Sequence, residues 1–546
     1  MRKILLNLIL LLGVFTFSSC DLDLLDSPND VNINSANVDF LLNRVQVDFA
    51  SFYHSVSLKG GRVTRIYHQP TDTYEIAHQG VTSNGLWNNA YANILNDIKT
   101  VKSIASERGF LRHLGIAKTL EAYVLMTLVD FFGDVPLSEA LDPNNFNPKV
   151  DSGESIYNAA FQLLESAKED FASATSIGTP KDFYYSNNYT RWIKLANTLQ
   201  LKYHLNRRLI DPSGSKAAID ALIADNKLLG NGDDFIFRYG TNANDPDSRH
   251  PFYSGQFPNG GGDYQSVFFM WHLTEAKGFD DPRANYYFYR QVGVNPTNEA
   301  EVRCINEFPP LHYPLDMVWC MPGTRGYWGR DHLDNQGIPP DGLLRTLYGI
   351  FPAGGPFDAN APASISASLA STMGAGIEPI MLAAYVDFML AEAALQLNTA
   401  GSPKDLMISG ATKHINFVRS WSLTTAEAGK ITAFSSNGDF EARRAAYIDK
   451  IGADFDSADG TQGQQRILSR EYWISLYGNG VEAYNLYRRT GQPDGMQPGQ
   501  IPNFGKFPRT FLYPNDLVTR NKNVEQKSEG HDARVFWDNN PPGFID

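Results

Sequence analysis

Apolar positions along the first third of the chain repeat at helical spacing. Trp87, Tyr91, Ile94, Leu95, Ile98, Val101 and Ile104 fall on one face of a 3.6-residue period, and Leu111, Leu114, Leu120, Tyr123, Val124 and Leu128 form a second such set. Gly133 and Pro136 end that second pattern. A third set holds Ile156, Tyr157, Ala160, Phe161, Leu164, Ala167 and Phe171, with Asp151 ahead of it and Glu154 three residues later. That spacing predicts a helix start capped by Asp151, whose side chain would accept from an orphan N–H. A fourth set holds Trp192, Leu195, Ala196, Leu199 and Leu205. Small residues such as Gly115, Ala117, Ala122 and Ala159 lie between the large ones and allow close helix pairing. The pattern dissolves from about Phe235 to Ser371, where Gly260-Gly261-Gly262, Pro309-Pro310 and Gly354-Gly355-Pro356 punctuate the chain. Helices are predicted again over about Pro379–Leu397, Leu406–Arg419, Phe440–Lys450 and Gln465–Tyr487, before an extended, polar end.

The N-terminus has a different pattern. Met1-Arg2-Lys3 precedes an apolar run of about 14 residues and then Ser18-Ser19-Cys20, the order of a secretory signal. The run is too short for a transmembrane helix, which needs roughly 20 residues. A cysteine directly after the small pair is the group that lipoprotein processing acylates, so residues 1–19 are expected to be a signal peptide, Cys20 a lipid anchor, and residues 20–36 an acidic, Pro-broken tether. The rest, 37–546, is expected to form a single domain: a helical scaffold over about 37–234 and 377–490, and a loop-rich insertion over about 235–376.

Net charge is −13, which argues against nucleic acid and against a basic lipid-binding face. Cys304 and Cys320 are the only cysteines beyond Cys20, 16 apart in a loop-rich stretch; an oxidising compartment permits a disulfide, and two free thiols are the alternative. No His/Cys spacing completes a zinc site, and no metal or other cofactor is expected. Asp454 to Gly460 fits a calcium loop poorly, since Ala458 takes a ligand position, and reads as a solvated acidic loop. The motifs H-E-x-x-H, G-x-S-x-G and G-x-x-x-x-G-K-[ST] are absent.

Four strings together resemble the SusD/RagB family of nutrient-binding outer-membrane lipoproteins. They are Trp87 to Ile98; the alanine-spaced stretch from Ala117 ending in Gly133-Asp134-Val135-Pro136; Arg466 through Arg488-Arg489-Thr490-Gly491; and Pro508-Arg509 with Tyr513-Pro514-Asn515-Asp516. The resemblance spans nearly all of the chain after its leader. It implies a mostly α fold of four tetratricopeptide-like helix pairs carrying a long irregular insertion. It also implies an outer-membrane location facing the exterior, no catalytic apparatus, and a SusC-type TonB-dependent barrel as partner, over which the protein sits as a lid.

The implied activity is capture of oligosaccharide or polysaccharide and its delivery to that barrel. Peptide capture by the same scaffold is the first alternative; an anchored hydrolase and a purely structural lid are the others. Aromatic content of 12% lies partly in the insertion, where a helical core does not require it. Sugar rings stack their C–H faces on such side chains while Asn, Asp and Arg bond the hydroxyls. The ligand-binding candidates are Tyr264, Trp271, Tyr287, Trp319, Tyr327, Trp328 and Arg330, with a second patch of Tyr67, Asp72, Tyr74 and Asn88. Each could instead fill a core beneath the loops. Tyr327-Trp328, between Gly326 and Gly329, is the pair expected to stay exposed, because its string is short and polar.

Overall fold

The computed structural model describes residues 37–258, 262–336, 342–364, 371–435 and 439–545. Cys20, the signal peptide and the tether lie outside these residues. Asn37 caps α1 (Val38–Val63) by accepting from the N–H groups of Asp39 and Phe40. Helix Asn84–Asn88 passes through a π-helical turn, Asn89–Leu95, into α2 (Asn96–Arg108). Then come α3 (Leu111–Phe132), α4 (Gly153–Ala172), α5 (Tyr189–Arg207) and α6 (Pro212–Asp225), each packed on the one before it. The loop-rich part holds β1 (Phe235–Arg238), α7 (Val267–Thr274), β2 (Phe288–Tyr289) and β3 (Leu347–Tyr348). After it come β4 (Ile377–Met381), α8 (Ala383–Leu397), α9 (Pro403–Ser422), α10 (Asp439–Asp456), α11 (Gly460–Ser475) and α12 (Gly480–Thr490). β1 pairs antiparallel with β4 and so ties the two helical parts together, while β2 pairs antiparallel with β3 within the loop-rich part.

Two sequence expectations are corrected here. The cap of α4 is Ser152, which accepts from Ser155 N; Asp151 instead accepts from the N–H groups of Leu137 and Ser138, bracing the turn before the helix. The single helix expected over Gln465–Tyr487 is two. Gly478 takes φ +103°, and Asn479 bonds outward: its amide donates to the carbonyls of Pro379 and Ile380, and its oxygen accepts from Tyr53 and from Glu482 N. The break turns α12 onto α1, where backbones nearly touch: a Cβ on Gly480 would lie 1.9 Å from Ser57 O.

The strings that carried the resemblance meet in space. Asp134 accepts from Gly153 N at 2.7 Å, and its carbonyl accepts from Tyr513 Oη at 2.7 Å. Asn485 donates to Asp130, Tyr484 Oη donates to Pro508 O, and Arg488 donates to Arg509 O at 2.8 Å. Arg489 clamps Glu392 with two bonds, at 2.7 and 2.8 Å. Apart from exposed Asp134, these side chains are buried, so the polar motif residues pay for their desolvation by pairing with one another. One hydrophobic cluster runs from Val38 to Trp537. No described helix is long and apolar enough to cross a membrane.

Candidate functional site

The insertion builds its own small core. Tyr264, Val302, Cys320 and Trp328 form a cluster apart from the main one, with Trp319, Met321 and Leu344 packed on it. Cys304 and Cys320 are bonded to each other, their Cα atoms 5.7 Å apart, and close a loop over this cluster.

Trp328 is fully buried and Tyr327 nearly so, which corrects the expectation that this pair stays exposed. The flanking glycines do the opposite of presenting it. A Cβ on Gly326 would lie 2.0 Å from Val292 O, and one on Gly329 2.0 Å from Gln265 O, so their missing side chains let the string dive beneath two other loops. Hydrogen bonds fix it there: Trp328 N donates to Thr346 Oγ1, and Arg330 N to Gln265 O.

Tyr67, Tyr74, Tyr264, Tyr287 and Arg330 are buried as well. Tyr264 lies between the guanidinium groups of Arg330 and Arg345, at 4.8 and 4.9 Å. Tyr287 stacks on Tyr477 at 4.5 Å, and Tyr67 Oη accepts from Gly478 N. None of these offers a free ring face. Trp271 is half-buried elsewhere, against Phe268 and His272. Asn88 is exposed and donates to Asp516 Oδ2 at 3.2 Å, away from the insertion. Asp72 and half-buried Trp319 do reach the surface of the loop-built face: Asp72 accepts from Asn335 at 2.7 Å, and Trp319 lies edge-on to Tyr313.

The structure joins these loops through a residue that sequence reading missed. Gln497 Nε2 donates to Val318 O and to Asp331 Oδ1, its Oε1 accepts from His332 N, and its carbonyl accepts from Arg65 Nε. Nothing in the local sequence around Gln497 marks it as a hub; its partners lie far away in the chain. Around it are buried titratable groups. Burial pushes the His68 imidazole down to about 4, and burial pushes the Asp331 carboxyl up to about 7.

Beside this hub the surface opens into a cavity of about 630 Å³, lined by Glu75, Asn503, Phe504, Lys506, His531 and Asp532 among others. The segment 502–506 is held down by Tyr74 N donating to Phe504 O at 2.9 Å. Lys506 and Asp532 pair across the rim at 2.6 Å. The lining thus offers carboxylate acceptors, amide and ammonium donors and one half-buried aromatic ring, all exposed except Phe504 and His531. Of these residues the sequence reading named none, although Glu75 is next to Tyr74.

Among the described residues one grouping has metal-ligand character: His54, His250 and Glu378, with ligand atoms within 4.8 Å of one another. Phe252 N donates to His250 Nδ1, which places that ring's proton on Nε2, the atom facing Glu378. His54 Nδ1 and Tyr239 Oη also bond Glu378, at 2.9 and 3.2 Å. The arrangement suits a buried carboxylate satisfied by N–H and O–H donors and does not fit a cation.

Two family models match the chain. "Starch-binding associating with outer membrane" covers residues 28–305, and "Susd and RagB outer membrane lipoprotein" covers 359–533. The chain therefore belongs to the SusD/RagB family of outer-membrane lipoproteins, and the mostly helical fold agrees. No curated sequence matches it. Among solved structures, a chitin-binding protein shares 20% identity, covers 92% of this chain and all of its own, and superposes with TM-score 0.68. A SusD/RagB protein from Bacteroides thetaiotaomicron gives 18% identity, coverage of 93% and 100%, and TM-score 0.67. A chitin-binding SusD homolog from Flavobacterium johnsoniae gives 16%, 92% and 99%, and 0.61. Residues 306–358, which hold most of the disulfide loop and Trp328, lie between the two matched stretches.

Proposed function

We propose that this protein is a nutrient-binding lipoprotein that captures a glycan on the loop-built face and hands it to a TonB-dependent barrel. The observation that carries the reading is the 630 Å³ cavity, where Glu75, Asn503, Lys506 and Asp532 offer both donors and acceptors beside the Phe504 ring. Uncharged polyols need that mixture, with an apolar face for ring C–H groups. Two structural neighbours are named for chitin binding, which supports a glycan over a peptide. In this reading Cys20 carries the lipid and holds the body at the outer surface.

The barrel contact has its own support. Phe308, Leu311 and Leu315 stand on the Cys304–Cys320 loop with 92%, 106% and 107% of their area exposed, an apolar knuckle that water alone does not explain. A disulfide-closed loop loses little entropy when it docks.

The test is a binding screen of the purified protein against glycan and peptide arrays, followed by calorimetry on the hits and analysis of the ligand for cleavage. Glycan binding that Asn503→Ala with Lys506→Ala weakens is the expected result. Binding confined to peptides, or a cleaved glycan, overturns the reading.

A further inference from the structure

A second cavity, of about 840 Å³, lies elsewhere on the protein. It runs between β1 and the outer face of α9 and shares no lining residue with the loop-built site. On α9 the lining residues Ser409, Thr412, Lys413, Asn416, Phe417 and Ser420 recur three and four apart, so one helix face supplies a row of hydroxyl, amide and ammonium groups. Opposite stand Ile236 and Arg238 of β1, with Trp421 beneath.

The charges in this groove cancel locally. Arg191 pairs with Asp233 at 3.2 Å and Lys413 with Asp387 at 2.7 Å. Exposed Arg238 sits in the field of Asp234, whose carboxylate is oriented by accepting from Ala383 N at 2.9 Å. Asn416 is oriented by Arg444, which donates to its amide oxygen at 2.6 Å. The groove is therefore rich in fixed donors and acceptors but has no net field to attract an anion, and the chain's charge of −13 repels polyanions. The volume lies within the usual range for small-ligand sites, about 300–1,000 Å³.

We propose that this groove is a second binding site, for a neutral oligosaccharide, held by Arg238, Asn416 and the hydroxyl row of α9 over the Ile236–Phe417–Trp421 floor. It rests on the reading of the protein as a glycan binder and adds a second point of attachment. Two sites on one anchored molecule bind a polymer far more tightly than either binds a short oligomer, because the second contact is intramolecular.

The test is calorimetry on the full chain in detergent with chitohexaose and with maltoheptaose. Arg238→Ala with Asn416→Ala marks the groove, and Asn503→Ala with Lys506→Ala marks the loop-built face. All four residues except partly paired Asn416 and Lys506 bear on their surroundings little, and all are exposed, so circular dichroism should not change. The expected result is two oligosaccharides per chain, falling to one in each double variant, with at least a tenfold weaker affinity for the corresponding polymer. A stoichiometry of one that only the loop-face pair removes overturns the second site and leaves the first reading standing. A single site that only the groove pair removes upholds this inference and overturns the loop-face reading. No binding of either probe overturns both.

Discussion

Removing the disulfide tests how the insertion is held. In Cys304→Ser with Cys320→Ser, the constraint lost is closure of a loop with sequence separation 16. Chain entropy puts that at about 3 kcal/mol for a loop of this length. The tip cannot replace it by burial, since Phe308, Leu311 and Leu315 are all exposed. What remains are His312 Nε2 with Gly499 O at 2.8 Å, Tyr313 Oη donating to Pro498 O at 3.0 Å, and the edge contact of Tyr313 with Trp319. Each such hydrogen bond contributes about 1 kcal/mol net. The loop packs on a cluster separate from the main core, so opening should be local. The open population should rise about 100-fold, because every 1.4 kcal/mol is a factor of ten. The assay is limited proteolysis with chymotrypsin, scored at Leu311 and Leu315 by mass spectrometry, beside a thermal melt. Cleavage should accelerate about 100-fold while the main transition moves little. An unchanged cleavage rate would refute the reasoning, and so would a cooperative loss of the whole fold.

Four further outcomes are expected. Glu392→Ala strands the buried guanidinium groups of Arg489 and Arg208 and should cost about 3–5 kcal/mol in urea unfolding; a loss below about 1 kcal/mol would show that this ion cluster does not hold α8 to α12. Trp328→Ala empties the centre of the insertion's cluster and should cost about 3–5 kcal/mol, and weaker glycan binding at unchanged stability would return Trp328 to the ligand face. His68 is buried, and its folded pKa of about 4 lies below the ordinary 6.5. The unfolded chain therefore binds the extra proton, and this group's contribution is complete above pH 6.5 and lost as pH falls toward 4. Going from pH 7 to pH 5 should lose about 2 kcal/mol from this group, and His68→Gln, whose amide can still donate to Asp334 O, should remove that part of the slope in paired urea titrations; parallel slopes would sink the assignment. Leu311→Asp with Leu315→Asp should abolish co-purification with a co-expressed barrel partner without changing the melt, and unimpaired co-purification would exclude the knuckle as the contact.

The helical scaffold was legible because its periodicity is strong: Ile94, Ile98 and Val101, or Leu120, Tyr123 and Val124, are buried where the spacing put them. The family was legible because Gly133-Asp134-Val135-Pro136 and Arg488-Arg489-Thr490-Gly491 are local strings whose side chains make specific polar bonds, that of Asp134 at the edge of the core and those of Arg488 and Arg489 buried within it. The site was not legible. Exposure of an aromatic in a loop depends on what other loops lie over it, and sequence spacing does not contain that. Trp328 sits under Gln265 and Thr346, the hub Gln497 bonds residues from 65 to 332, and Glu75 reaches its cavity only because 502–506 folds back beside it. Spacing along one helix or one motif is a short-range property, and the sequence by itself determined the parts of this protein that depend on it. Burial in the insertion, the break at Gly478 and the two open cavities arise from contacts between residues far apart in the chain, and only the tertiary structure decided those.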